Sequence, residues 1–193
     1  MNKFFGPSPL QESPVSKFFF SNTIMSWLWL IVRVYVGYQW IDASLHKLPS
    51  PAWMQTGDAL KGYWMNAISV PEAPAKALIH FDWYRTFLQT MLDNGSYVWF
   101  AKAIAIGELL VGIAMVIGLL VGTAAFFGAL MNFNFLLAGS LGSGPLLLVL
   151  QILLVAAWKI AGHLGVNYFV HKRFGTLWQK GYGAKTKTET AAG

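Results

Sequence analysis

Cysteine is absent from this chain. That excludes disulfides, thiol nucleophiles, persulfide carriers, iron–sulfur clusters and thiolate zinc sites together. A redox role would have to use a bound cofactor, a substrate or another subunit. Charge is scarce as well. Only 11% of the 193 residues are Asp, Glu, Lys or Arg, where a soluble domain carries about a quarter. The net charge of +6 comes without a long basic run or a nucleic-acid motif, so nucleic acid is not an expected partner. The four histidines, His46, His80, His163 and His171, are scattered, and neither a metal nor a haem is expected. There is no nucleotide-binding motif and no nucleophile–base arrangement.

What is abundant is apolar: 55% of the chain is hydrophobic and 16% aromatic. The charges lie outside a few apolar blocks, the distribution of a membrane protein. Four blocks approach the roughly 20 residues that a bilayer core needs, over residues 24–42, 98–118, 120–138 and 145–164. The first lacks a small-residue cleavage site and reads as a retained helix. "GLLVGT", between the second and third, is short enough to force an antiparallel hairpin. The expected fold is all-α: a polytopic, four-transmembrane-helix antiparallel bundle with short interfacial helices in its first outer loop.

Residues 1–20, with Pro7, Pro9 and Pro14, read as a mobile N-terminal tail, 21–170 as the membrane domain, and 171–193 as a basic tail. That tail carries Lys172, Arg173, Lys180, Lys185 and Lys187 against Glu189, whereas the 43–97 loop balances four cations with four acids. Positive residues favour the cytoplasmic side, which places both termini inside a plasma membrane. Within the loop, Trp53, Leu60, Trp64, Ala67 and Ile68 share a helical face that Pro71 and Pro74 would end. "DWYRTFLQTMLDNG" offers a second short helix, with Asp82 as N-cap and Asn94-Gly95 as its stop. The pair would form an aromatic lid, or merely an interfacial anchor.

Arg33 and Glu108 fall near the middle of the first and second spans. An isolated charge there costs from about 2.5 to over 10 kcal/mol, so an Arg33–Glu108 ion pair is expected. Ala101, Ala105, Glu108 and Gly112 form a small-residue stripe that lets another backbone approach, and Gly37 offers the same on the first span. Asn132 and Asn134 lie about 200° apart on a helix, so one can face inward while the other bonds a neighbour or its own backbone. Gln151 matches Asn132 in depth. Tyr35, Gln39, Asp42 and His46 form a polar stripe climbing outward. Together these suggest a polar pocket opening outward above the charge pair. The alternative is that the amides only bond helix to helix. Lys159 reads as a snorkelling anchor.

"RVYVGYQWIDASLHKL", "GDALKGYW", "WFAKAIAIGELLVGIAMVIGLLVGTAAFFGALMNFNFLLAGS" and "AWKIAGHLGVNYF" resemble the DoxX/DoxD family of small four-helix membrane proteins, over about residues 24–170. The resemblance implies a four-helix bundle and, as in some members, the membrane subunit of a thiosulfate:quinone oxidoreductase of the respiratory chain. The family's charged and amide motif positions fall on Arg33, Glu108, Asn132 and Asn134. On this reading Arg33 and Glu108 are catalytic, the first holding a small sulfur oxyanion and the second exchanging a proton. Gln39, Asn132, Asn134 and Gln151 bind substrate, and Trp40, Phe133 and Phe135 contact a quinone, the one cofactor expected. Partners would be the lipid bilayer and either other membrane subunits or further copies of the chain. A non-catalytic accessory subunit of a respiratory complex, or a small-solute carrier, are the alternatives.

Overall fold

The structure, a computed structural model, describes residues 11–70 and 76–175. Among these there are ten α-helices and no strand, so the all-α expectation holds. The helices are α1 (Pro14–Ser21), α2 (Ser26–Lys47), α3 (Pro51–Met54), α4 (Asp58–Ile68), α5 (Asp82–Asp93), α6 (Tyr97–Ile117), α7 (Val121–Leu137), α8 (Gly144–Ala156), α9 (Trp158–Ala161) and α10 (Val166–Phe174). Helix α6 is long and apolar enough to cross a membrane on its own. Helices α1 and α2, bent by 52° at the turn between them, pass the same test only if taken as one span. Helices α7 and α8 are shorter apolar helices.

Helices α2, α6, α7 and the α8–α9 pair pack side by side, with α2 against α6 and α7 against α8 as the principal contacts. Glycine sets the first of these. A Cβ on Gly112 would stand 2.6 Å from Ile41 Cγ1 and 2.9 Å from the Gly37 carbonyl. Only bare backbones can cross that closely. Ala101, Ala105, Glu108 and Gly112 are all buried, as their spacing predicts.

The sharp turn after α6 is made by two left-handed residues, Gly118 at φ 72° and Leu120 at φ 47°. Leucine rarely adopts this conformation. Asn167 of α10 holds it from outside: its Oδ1 accepts from Leu120 N at 3.2 Å, and its own backbone N–H donates to Gly118 O at 2.9 Å.

Several expectations need correction. Residues 14–21 form a helix rather than a tail. Ser13 caps it by accepting from Ser16 N, Pro14 occupies its first turn, and Trp29 Nε1 donates to Phe19 O at 2.8 Å. The fourth apolar block is interrupted at Ala157, between α8 and α9. The basic segment begins as helix α10 instead of tail. In the loop, Phe81 is the N-cap of α5, while Asp82 lies inside the helix and bonds Arg85. Asn94 and Gly95 do end it, with Gly95 at φ 65°. Pro71 and Pro74 lie outside the described residues.

Two apolar cores result. One fills the bundle around Trp29, Val36, Trp40, Met115 and Leu154. The other joins α4 and α5 to the start of α6 and the end of α7 through Leu60, Trp64, Ile79, Tyr84 and Leu88. The aromatic lid is therefore packed onto the bundle.

Candidate functional site

Arg33 and Glu108 are both buried, each 1% exposed, but they do not pair. Arg33 reaches toward the C-terminal end of α6. Its Nη1 donates to the Met115 and Val116 carbonyls at 2.5 and 2.7 Å, and its Nη2 donates to Leu164 O at 2.8 Å. The first two carbonyls belong to the last turn of α6, where no further helical N–H can satisfy them all. The guanidinium fork thus ties α6 to the segment before α10, and its Nε is buried without a partner. A Cβ on Gly118 would sit 2.8 Å from the guanidinium carbon, so the fork lies flat against the turn. Both terminal nitrogens are engaged, making three hydrogen bonds to backbone carbonyls between them.

Glu108 is answered by Lys47, the last residue of α2. Lys47 Nζ lies 2.7 and 2.6 Å from the two carboxylate oxygens. The ammonium also sits 5.2 Å from the Trp53 ring and 6.0 Å from the Phe135 ring, a partly desolvated cation–π setting. Lys47 is the residue that sequence reasoning missed. Its signal was present: Arg33, Trp40 and Lys47 recur at spacings of seven along α2, on the face that also buries Val36, Gly37 and Ser44.

The stripe of Tyr35, Gln39, Asp42 and His46 faces away from the bundle. Tyr35, Asp42 and His46 are exposed and Gln39 is half-buried. Asp42 and His46 approach each other at 3.8 Å on the surface. The expected polar pocket above Arg33 is not formed by this stripe.

The amides divide as the helical wheel predicts. Asn132 points inward and donates to Gly144 O at 2.8 Å. Asn134 donates to its own helix at Leu130 O, 2.8 Å away. Gln151 is fully buried. In one orientation its oxygen accepts from Asn132 Nδ2 at 3.4 Å, but its nitrogen then faces the Trp40 indole N–H. The reverse orientation satisfies both ends, with Trp40 Nε1 donating at 2.6 Å and the amide nitrogen donating to Leu147 O at 3.2 Å. Gly128 makes room, since a Cβ there would fall 2.5 Å from the Gln151 amide. The Asn132 and Gln151 amides tie helix to helix, while the Asn134 amide donates within α7. Of the three aromatic candidates, Trp40 and Phe135 meet with ring centroids 6.5 Å apart. Phe133 faces outward, 49% exposed.

A cavity of about 290 Å³ lies between the lid and the bundle, beneath α4 and α5 and beside α6 and α7. Tyr63, Trp64, Tyr84, Phe100, Asn134 and Phe135 are among its lining residues. Ile104, one turn before Glu108, forms part of its wall. Tyr84 Oη donates to Asn134 O at 2.9 Å and Tyr63 Oη to Phe135 O at 3.4 Å, tying both lid helices to the end of α7. Burial pushes the Tyr84 phenol up to about 12, with the nearby Tyr63 adding to the effect. Burial raises Tyr63 as well, opposed by a hydrogen bond with Ser140. Both phenols are therefore neutral donors at ordinary pH. Phe87 and Leu130, 42% and 48% exposed, stand at the cavity's rim. Among the described residues, no group of three or more His, Asp or Glu side chains could hold a metal ion.

Compared with known proteins, the chain matches no family model, no curated protein and no solved structure.

Proposed function

We propose that this chain crosses the plasma membrane four times, on α2, α6, α7 and the α8–α9 pair, and serves as the membrane subunit of a quinone-linked oxidoreductase. The spanning is supported by an inverted distribution of polarity. Arg33, Glu108, Asn132 and Gln151 are buried, while Trp27, Ile31, Leu110, Phe126 and Phe127 are exposed. Water-soluble proteins do not expose apolar surface so continuously. At 1.5 Å per residue α7 extends about 26 Å and 144–161 about 27 Å, close to the roughly 30 Å hydrocarbon core. Lys17 and the Lys172–Arg173 pair lie at one end, which the positive-inside preference assigns to the cytoplasm.

The observation that carries the quinone reading is the aromatic cavity whose wall includes Ile104, one turn before Glu108 on α6. Its rings offer stacking surfaces and its rim is apolar, so a ring could enter from the bilayer. Tyr84, Tyr63 and Asn134 place polar groups at its wall. Reduction of a quinone takes two electrons and two protons, and the Lys47–Glu108 pair, whose ammonium lies 6.0 Å from the cavity-lining Phe135 ring, is an ionisable system that can exchange protons. The electrons come from the donor. The DoxX/DoxD resemblance implies a sulfur oxyanion such as thiosulfate, two of which join through a new S–S bond as they release two electrons.

The test is a titration of the purified chain with a short-chain quinone, followed by tryptophan fluorescence, and then quinone reduction with thiosulfate. Saturable quenching that weakens at least tenfold in Leu130→Trp, and is unchanged in Phe133→Trp, supports the cavity. Equal affinity in both variants removes it. Binding without turnover, restored when a second subunit is added, would make this chain the quinone-holding partner of a donor-oxidising protein.

A further inference from the structure

The inner end of the molecule is predominantly basic. No Asp or Glu occurs between Glu108 and Glu189, whereas Lys159, Lys172 and Arg173 fall in that stretch and are exposed. Helix α1 packs on α9 at the same end and adds Lys17, with Glu12 close to it. Beside Lys159, Lys172 and Arg173 lies a cleft of about 630 Å³ between α7, the α8–α9 break and α10. Its walls are apolar, formed by Leu120, Phe126, Val155, Val170 and Phe174, with Thr123 and His171 as polar members. Helix α10 turns Asn167, Val170, His171 and Phe174 toward the cleft. Arg173 falls about 100° off that face and Lys172 further round, with Lys172 Nζ held 6.0 Å from the Tyr168 ring.

We propose that this cleft binds one anionic glycerophospholipid of the inner leaflet. An acyl chain lies between Phe126, Val155 and Val170, and the phosphate rests at the rim beside His171 and Arg173, within the field of Lys172. The proposal rests on the membrane reading above and is independent of the quinone. An apolar slot alone would accept any lipid. The selectivity comes from Lys159, Lys172 and Arg173, which no carboxylate on α7 to α10 offsets. A zwitterionic headgroup would bring its own ammonium against Arg173 and Lys172. Basic residues near an anionic surface contribute about 1 kcal/mol each, so the two together predict roughly tenfold or greater preference for the anionic lipid.

The full chain is to be reconstituted in vesicles of equal parts phosphatidylcholine and phosphatidylglycerol, re-extracted in mild detergent, and its retained lipid identified by native mass spectrometry. Retained phosphatidylglycerol should exceed phosphatidylcholine about tenfold. The preference should vanish in the Lys172→Gln, Arg173→Gln double variant, and lipid of both kinds should fall in Thr123→Trp, which plugs the exposed wall of the cleft. Equal retention of the two lipids overturns the proposal, as does a preference that survives both changes. Inorganic phosphate that protects the native chain against thermal unfolding as well as phosphatidylglycerol does would overturn the acyl-chain slot. A chain that fails to float with vesicles sinks the membrane reading and this proposal with it. A chain that floats without lipid selectivity sinks only the proposal.

Discussion

Lys47 Nζ contacts both carboxylate oxygens of Glu108, at 2.7 and 2.6 Å, from the far end of a neighbouring helix. The carboxylate is sealed, while the Lys47 side chain keeps 19% of its surface accessible. The pair therefore joins the middle of α6 to the outer region where the lid begins. Removing Lys47 leaves a buried carboxylate without an answer.

Lys47→Met should lower stability by about 3–5 kcal/mol, because it strands the Glu108 carboxylate in a dry site, whereas Glu108→Gln should cost less, since Lys47 keeps some access to solvent. The double variant Lys47→Met, Glu108→Gln should recover most of the Lys47→Met loss. Unfolding monitored by tryptophan fluorescence measures the cycle. Additive losses in the double variant would mean that the two groups are not coupled.

Arg33 acts at the other end. Arg33→Leu orphans the carbonyls of Val116 and Leu164, and at about 1.5–3 kcal/mol for each charged hydrogen bond the loss should be about 3 kcal/mol or more. Arg33→Lys should recover little, since one ammonium cannot span both segments as the fork does. Quinone affinity, read at temperatures where the variants stay folded, should not change. A selective loss of affinity in Arg33→Lys would return this residue to the functional site.

Gly112→Ala tests the α2–α6 crossing. The added methyl meets Ile41 Cγ1 at 2.6 Å and the backbone oxygen of Gly37 at 2.9 Å. The side chain can shift but the backbone cannot do so freely, so a cost of about 1–3 kcal/mol is expected. Gly95→Ala, where a Cβ meets open space but φ is 65°, should cost about 1 kcal/mol through backbone strain alone. Thermal unfolding of the two variants separates packing from conformation.

Tyr84 gives a pH dependence of known sign. Its phenol ionises near 12 in the folded chain and near 10 when unfolded. Between these values the unfolded chain has released a proton that the folded chain retains. Stability is thus fully present below about pH 10 and declines as pH rises toward 12. Tyr84→Phe should flatten that alkaline slope, and its difference absorbance should lack the tyrosinate signal that appears near pH 12. A native tyrosinate signal complete by pH 10 would contradict the burial of this group.

The sequence made some of this legible. The stripe of Ala101, Ala105, Glu108 and Gly112 marked a close helix contact, and the angle between Asn132 and Asn134 separated an inward amide from one bound to its own helix. Both follow from helical periodicity, which is local. The lid helices were legible for the same reason, apart from the segment outside the described residues. The Arg33–Glu108 pairing failed because depth was counted from Cα positions alone. Long side chains extend several ångströms along the helix axis, and these two point apart.

By itself the sequence determined the helical class, the apolar blocks, the small residues at the α2–α6 contact and the need for buried charges to find partners. Those properties depend on residue type and on a spacing of 3.6 per turn. Tertiary structure decided which face of α2 turned inward, and so selected the Arg33–Trp40–Lys47 line over the Tyr35–Gln39–Asp42–His46 stripe. It also decided that Lys47 answers Glu108 while Arg33 closes the end of α6. The physical reason is that charges pair by distance and approach in space, and the Gly37–Gly112 crossing fixes that space only once two distant segments have met.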